Sequence, residues 1–107
     1  METIMITKEQ IDAVTQKIIT EYLPEKIILF GSYAQGLETA DSDLDILIVK
    51  DDSGSIVQRN RDARRLLREF MFPIDVIIKT RDEFETFKDI IGTVVYSANK
   101  YGRFLYG

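Results

Sequence analysis

Apolar residues recur three or four positions apart near the start of the chain: Ile11, Val14, Ile18 and Tyr22. This spacing predicts a helix over residues 7–21. Thr7 lies three positions before Gln10, which is the spacing of a capping box and favours a helix that begins there.

Apolar runs rich in β-branched residues predict three strands, over residues 26–30, 43–50 and 74–79. After its first residues the middle run is apolar on both faces, which is typical of a central strand buried on both sides. Residues 103–106 predict a short edge strand.

Helical spacing returns in the segments between these strands. Residues 32–35 predict a brief helix, in which a serine and a glutamine have the spacing of a capping box. A longer helix is predicted over residues 55–70, with Ser55 and Gln58 as its capping pair. Another starts at Thr80, capped together with Glu83, and continues, with a bend at Gly92, toward the last strand. The sum is a single α+β domain over residues 1–107, in which helices cover a small mixed β-sheet.

The amino-acid composition limits the size of the core and the kinds of catalysis that are possible. The 107 residues are 45% hydrophobic, enough for one modest core, and the formal charge of −4 without a long basic block disfavours binding nucleic acid mainly by neutralising phosphates. The sequence has no cysteine and no histidine, which excludes thiol nucleophiles, disulfides, imidazole catalysis and the usual zinc sites. Catalysis must therefore use carboxylates, hydroxyls, amines or a bound metal.

The first residues lack a cationic segment followed by an apolar run, and no stretch of the sequence is long enough to span a bilayer. We therefore expect a cytoplasmic protein with no membrane partner.

Three aspartates carry the candidate chemistry. Asp43 and Asp45 lie two positions apart at the start of the middle strand, so their side chains are expected on one face. Such carboxylates repel each other, and hard oxygen donors in a chain without histidine or cysteine favour Mg²⁺ or Mn²⁺ between them. Asp75 interrupts the otherwise apolar third strand, which is expected to be their neighbour, and a lone acid inside a buried strand needs a partner or a metal. The alternatives are that Asp43 belongs to a turn and that Asp75 is an exposed strand end.

A glycine and a serine precede these aspartates at the junction of a strand and a helix. Such a turn aims backbone N–H groups and the positive end of the helix dipole at one point, which suits a phosphate. Ser32 either donates its hydroxyl to a phosphate oxygen or caps the helix. An anion site beside a divalent-metal site describes a triphosphate site.

The sequence resembles the nucleotidyltransferase superfamily that includes DNA polymerase beta and kanamycin nucleotidyltransferase. The resemblance is carried by the motifs in residues 31–36, 42–46 and 74–76. The likeness is to its minimal, stand-alone members, and it implies a fold like the polymerase-beta palm. A Gly-Ser pair, ten intervening residues, Asp-X-Asp and a later strand aspartate form a far more specific pattern than Asp-X-Asp alone.

The resemblance implies a role for each site residue. Asp43 and Asp45 would bind two Mg²⁺ ions that grip a nucleoside triphosphate, and Asp75 would bind the second ion and help to deprotonate the attacking hydroxyl. The implied nucleotide-binding residues are Gly31, Ser32 and Ser42. Members of this type often have arginine at the position of Gln35, so that departure concerns triphosphate affinity or nucleotide choice.

The resemblance also implies a partner. Minimal members are often encoded beside a HEPN-family ribonuclease, and in characterised pairs they act as antitoxins by transferring AMP to a tyrosine of that toxin. It implies that this chain uses ATP, or another nucleoside triphosphate, as antitoxin of a type VII-like toxin–antitoxin pair. The alternatives are an antitoxin that binds its toxin without chemistry, and an enzyme that extends RNA 3′ ends, which the acidic composition disfavours.

Two surface features have competing interpretations. The longer helix carries a basic stripe, which is expected to be solvated and would otherwise dock RNA or an acidic partner: Arg61, Arg64, Arg65 and Arg68. The C-terminal aromatics are expected to pack internally, and would indicate a protein interface if they were exposed: Tyr96, Tyr101, Phe104 and Tyr106.

Overall fold

Helices and strands alternate along most of the computed structural model, which describes residues 5–51 and 54–107. In chain order the elements are α1 (Lys8–Tyr22), β1 (Lys26–Phe30), α2 (Ser32–Gln35), β2 (Leu44–Val49), α3 (Ile56–Leu66), β3 (Ile74–Lys79), α4 (Arg81–Phe87), α5 (Val94–Tyr101) and β4 (Arg103–Tyr106). Within those described ranges, no helix is long and apolar enough to cross a membrane.

The four strands form one mixed sheet in the order β3-β2-β1-β4. β1 is antiparallel to both β2 and β4, whereas β2 and β3 are parallel. All four predicted strands are confirmed, and so is the α+β class with a small mixed sheet. β2 is central as predicted, and β3 forms one edge.

Helices cover both faces of the sheet because the central strands are apolar on both sides. Toward one face, the buried apolar residues contributed by α1, α3 and the turn after α3 are Ile11, Val14, Ile18, Ala63 and Leu67. Toward the other face, the buried residues contributed by α4 and α5 are Phe84, Val95 and Ala98. Ile46 and Leu47 of β2 are fully buried against opposite faces, and each contributes about 1.5–3 kcal/mol of transfer free energy.

Capping boxes begin three of the helices as the sequence predicts. Thr7, Ser55 and Thr80 each accept a hydrogen bond from the backbone N–H three positions later, and the residue there reciprocates. The fourth prediction, a box formed by Ser32 and Gln35, is wrong. Gly31 is the N-cap of α2 and Ser32 is its first residue, so the serine hydroxyl is one position too late to cap.

The predicted helix that starts at Thr80 is two helices. Thr93 explains the break: its hydroxyl lies 2.8 Å from the Ile90 carbonyl oxygen and 3.0 Å from that of Phe87, and it accepts the Tyr96 N–H at the start of α5. Gly92 has a φ of +95°, which a continuous α-helix cannot contain. The helix predicted over residues 55–70 likewise ends early, at Leu66.

Of the two predictions about the surface, the one for the basic stripe agrees with the structure and the one for the C-terminal aromatics mostly does not. All four arginines of the basic stripe are exposed, as expected of a solvated face. The expected internal packing of the C-terminal aromatics is wrong for Tyr101, Phe104 and Tyr106, which are 56%, 45% and 41% exposed. β4 is a four-residue edge strand in which only Leu105 is half-buried.

An ion pair that the sequence does not predict joins α3 to α4. The Arg59 side chain is only 7% exposed, and its Nη1 donates to Oε1 of Glu83 at 2.7 Å. The same oxygen accepts the Thr80 N–H at 2.8 Å, so one carboxylate both caps α4 and binds the arginine of α3. These hydrogen bonds, that from Arg59 foremost, lower the pKa of Glu83 from 4.5 to about 2.

Candidate active site

The starts of β2 and β3 bring two of the aspartates together. The parallel register pairs Asp45 with Asp75, so the two residues lie on neighbouring strands about 4.8 Å apart with side chains on the same face. The Leu44 N–H donates to the Pro73 carbonyl at 3.0 Å and fixes this alignment. The predicted neighbourhood of Asp45 and Asp75 is therefore confirmed.

The burial predicted for Asp75 is wrong. β3 is an edge strand and Asp75 is exposed near its start, which agrees with the alternative interpretation as an exposed strand end. Its position beside Asp45, rather than its burial, is what makes it a candidate for the third carboxylate.

Asp43 lies one residue before β2, which begins at Leu44 rather than at residue 43. Its side chain is exposed, and it follows a turn in which the Ser42 N–H donates to the Thr39 carbonyl at 3.1 Å. The turn interpretation of the sequence therefore describes the backbone around Asp43, while its charge still acts on Asp45.

Like charges crowd the Asp45 carboxylate. Burial raises the pKa of Asp45 above its ordinary value, and the negative charges of Asp75 and Asp43 raise it further. A cation among these three oxygen donors would relieve the repulsion, and in charge and donor type they fit Mg²⁺ or Mn²⁺. Across residues 5–51 and 54–107, however, no three acidic side chains already converge as a ligand set.

Gly31 places the strand-to-helix turn directly against Asp45. It follows Phe30, the residue that pairs with Asp45 across the antiparallel register, and its φ is +73°. A Cβ built at Gly31 would overlap Oδ2 of Asp45. Only glycine fits here, both because its φ is positive and because the carboxylate occupies the space of a side chain.

Tyr33 anchors the short helix that follows. It is buried in the larger core cluster, and its hydroxyl accepts the Ile6 N–H at 3.0 Å. The sequence does not predict this supporting role, because an aromatic residue directly after the Gly-Ser pair is equally consistent with ordinary packing.

The two serines differ in what they do. Ser32 is half-buried at the start of α2, and its carbonyl accepts the Leu37 N–H at 3.0 Å. The Ser42 hydroxyl accepts the Thr39 N–H at 2.9 Å, so it closes the turn that leads into Asp43. The structure thus brings Gly31, Asp45 and Asp75 together, while the nucleotide contacts of Ser32 and Ser42 stay predictions.

Comparison with known proteins adds family relationships to this geometry. The family model described as a nucleotidyltransferase domain matches residues 8–101. A protein of Methanocaldococcus jannaschii, provisionally named a protein adenylyltransferase, is 37% identical over 83 residues, which are 77% of this chain and 78% of the relative.

A crystal structure from Sulfolobus solfataricus has the same fold. It is provisionally titled a nucleotidyltransferase, and it superposes with a TM-score of 0.58 over 71% of this chain and 68% of that one, at 22% identity. At that identity the likeness concerns the fold alone.

Proposed function

Because this chain belongs to the nucleotidyltransferase family, we propose that it transfers AMP from ATP to a hydroxyl of another protein, with Mg²⁺ bound by Asp43, Asp45 and Asp75. The observation that carries the proposal is the contact between Gly31 and Asp45, with Asp75 beside them. It joins a backbone turn suited to phosphate to a group of oxygen donors suited to a divalent cation.

Each residue has a defined task in this reaction. Gly31 and Ser32 would hold the β- and γ-phosphates through backbone N–H groups and the serine hydroxyl, while Ser42 shapes the turn before Asp43. The Asp75 carboxylate would accept the proton of the acceptor hydroxyl. The hydroxyl oxygen then bonds to the α-phosphorus, the bond from that phosphorus to the bridging oxygen breaks, and pyrophosphate leaves.

Two Mg²⁺ ions, when bound, would supply charge stabilisation to both the attacking and the leaving oxygen. The exposure of Asp43 and Asp75 keeps their carboxylates accessible to such ions from solvent. Mn²⁺ satisfies the same donors.

A protein acceptor is favoured by two observations. The relative from Methanocaldococcus jannaschii is provisionally named a protein adenylyltransferase. The net charge of −4 also disfavours RNA as the acceptor, since binding of nucleic acid depends mainly on an excess of basic residues that neutralise phosphates. The resemblance to minimal members extends the proposal to a HEPN-family partner and an antitoxin role.

The test uses the chain, Mg²⁺, ATP labelled on its α-phosphate and the protein encoded by the neighbouring gene. We expect labelling of that protein, reduced about 100-fold or more in Asp45→Asn because several kcal/mol of transition-state stabilisation are lost. Asp41→Asn is the matched control: it removes an exposed carboxylate from the turn four residues earlier, and it should retain activity.

The two alternative functions are tested by measuring toxicity of the partner as well, and by adding tRNA to the labelling reaction. Equal labelling by Asp45→Asn and the unsubstituted chain would exclude the proposed site. Neutralisation of a toxic partner by Asp45→Asn would favour an antitoxin that acts by binding alone. Label that appears on added tRNA rather than on protein would favour extension of RNA ends.

A further inference from the structure

A groove of about 480 Å³ runs along the outer edge of the sheet, between α3 and β3. All six residues of β3, from Ile74 to Lys79, line it. Successive side chains of a strand point to opposite faces, so six consecutive residues can line one groove only if the main chain contributes. The groove therefore exposes the backbone of the edge strand.

The hydrogen bonds between β2 and β3 show which backbone groups of β3 face the groove. Leu44 donates to the Pro73 carbonyl at 3.0 Å, and Lys50 donates to the Lys79 carbonyl at 2.9 Å. In a parallel ladder the odd-numbered residues of β3 then bond to β2, and the N–H and C=O groups of Ile74, Val76 and Ile78 point outward. Among the strands in the described ranges, β2 is the only one paired with β3, so this edge can accept another strand.

The charged residues that line the groove are mostly cationic. Arg64 and Arg68 line it from the side of α3 and the turn after it, and Lys79 lies at the far end of β3. Arg61 and Arg65 of the same basic stripe instead line shallow depressions elsewhere on the surface. The stripe is thus divided, and only part of it is placed to attract an acidic segment along β3.

The groove also offers apolar contacts and leads to the candidate site. Phe70 and Phe72 line it with ring centroids 5.8 Å apart, which gives a surface for alternate apolar side chains of an added strand. Asp75 lines the groove near the start of β3, beside Asp45. A segment lying along β3 would therefore end next to the proposed proton acceptor.

We propose that this groove docks an extended acidic segment of the protein acceptor, which adds to β3 as a further strand and brings its hydroxyl to Asp75. The inference rests on the proposed function for the identity of the acceptor. The docking itself depends only on the edge strand and on Arg64, Arg68 and Lys79.

The test measures binding of a fluorescein-labelled ten-residue peptide by fluorescence anisotropy. The peptide alternates glutamate with valine around one tyrosine, and a matched peptide carries lysine in place of glutamate. We expect saturable binding of the acidic peptide and at least about tenfold weaker binding of the basic one, since like charges along the groove repel. Absence of saturable binding of the acidic peptide at millimolar concentration would overturn the proposal.

Charge reversal locates the binding surface. The double variant Arg64→Glu/Arg68→Glu should weaken binding of the acidic peptide about tenfold or more, whereas Arg61→Glu/Arg65→Glu should change it less than about twofold. Both variants alter the same basic stripe and change the net charge equally, and far-UV circular dichroism checks that both keep the fold. Equal weakening by the two variants would show a nonspecific effect of charge and would overturn the proposal.

Backbone methylation tests strand addition without altering the protein. Two acidic peptides are N-methylated at alternate residues, one on the odd and one on the even positions. Strand addition requires one of them to lose binding and the other to keep it, because only one set of N–H groups faces β3. Equal affinities of the two methylated peptides would refute strand addition. A twelve-nucleotide RNA serves as a second ligand, and binding of this RNA through Arg64 and Arg68 without binding of the acidic peptide would also refute it.

Peptide binding needs neither ATP nor Mg²⁺, so the two proposals fail separately. Binding that meets these criteria without AMP transfer would count against the proposed function alone. AMP transfer to a partner that Arg64→Glu/Arg68→Glu leaves unchanged would count against the groove alone.

Discussion

Gly31 links the backbone to the chemistry of the candidate site. Its positive φ turns the chain from β1 into α2, and its missing side chain leaves room for the Asp45 carboxylate. Gly36, at the other end of α2, also has a positive φ but has nothing within 4 Å of a Cβ built there. Both glycines have a positive φ, but Gly36 lies in the left-handed helical region, whereas Gly31 has a ψ of −154°, a conformation that essentially only glycine adopts. Only Gly31 also meets Asp45.

Gly31→Ala and Gly36→Ala should therefore separate stability from activity. Gly36→Ala should lower the free energy of unfolding by about 1 kcal/mol, because alanine is strained in the left-handed region. Gly31→Ala should lower it by more, up to roughly 3 kcal/mol, because its backbone conformation suits only glycine. Gly31→Ala should also displace Asp45 and lower the rate of AMP transfer about 100-fold, as a misplacement near 1 Å does in other enzymes. Urea unfolding and the labelling assay measure the two effects, and an equal loss of activity in both variants would contradict the prediction.

At the scale of elements, α3 and α4 are tied together by the Arg59–Glu83 pair. The sequence predicts both helices and the box formed by Thr80 and Glu83, because these depend on residues three positions apart. It does not predict that Arg59, 24 positions from Glu83, reaches the same carboxylate. It predicts a bend at Gly92 but not a full break after α4, where the Thr93 hydroxyl bonds back to carbonyls of the preceding turn.

This pair should make the stability of the protein depend on acid pH. The pKa of Glu83 is about 2 in the folded chain, against an ordinary value of 4.5, so its contribution is present above pH 4.5 and disappears as the pH falls toward 2. Glu83→Gln should destabilise the protein by about 2 kcal/mol at pH 7 and flatten its loss of stability in acid.

Urea unfolding between pH 7 and pH 2 measures this dependence. Glu85→Gln is the matched control, because Glu85 lies on the same helix but pairs with Lys88 at an exposed position and should contribute less. Parallel stability curves for Glu83→Gln and the unsubstituted chain would refute the role of the ion pair.

At the scale of the whole molecule, the candidate site joins β1, α2, β2 and β3, so a ligand bound there should stabilise the entire fold. ATP with Mg²⁺ at a hundredfold excess over its Kd should add about 2.7 kcal/mol to the free energy of unfolding. For a chain of this size, that corresponds to a rise in Tm of roughly 10 °C or more. Differential scanning fluorimetry measures the shift.

EDTA should remove that shift, and Asp45→Asn should not show it, while Asp41→Asn should respond like the unsubstituted chain. A shift of the same size with ATP alone would count against a divalent cation in the site.

The strand segments and most helix starts are predictable from the sequence, because they follow from alternation, helical spacing and caps within a few residues. Residue types and spacing also single out Gly31, Asp45 and Asp75. The edge position of β3, the exposure of Asp75 beside Asp45 and the contact of the Gly31 backbone with the Asp45 carboxylate are visible only in the folded chain. These facts depend on strand order and register, which result from packing between residues distant in the chain.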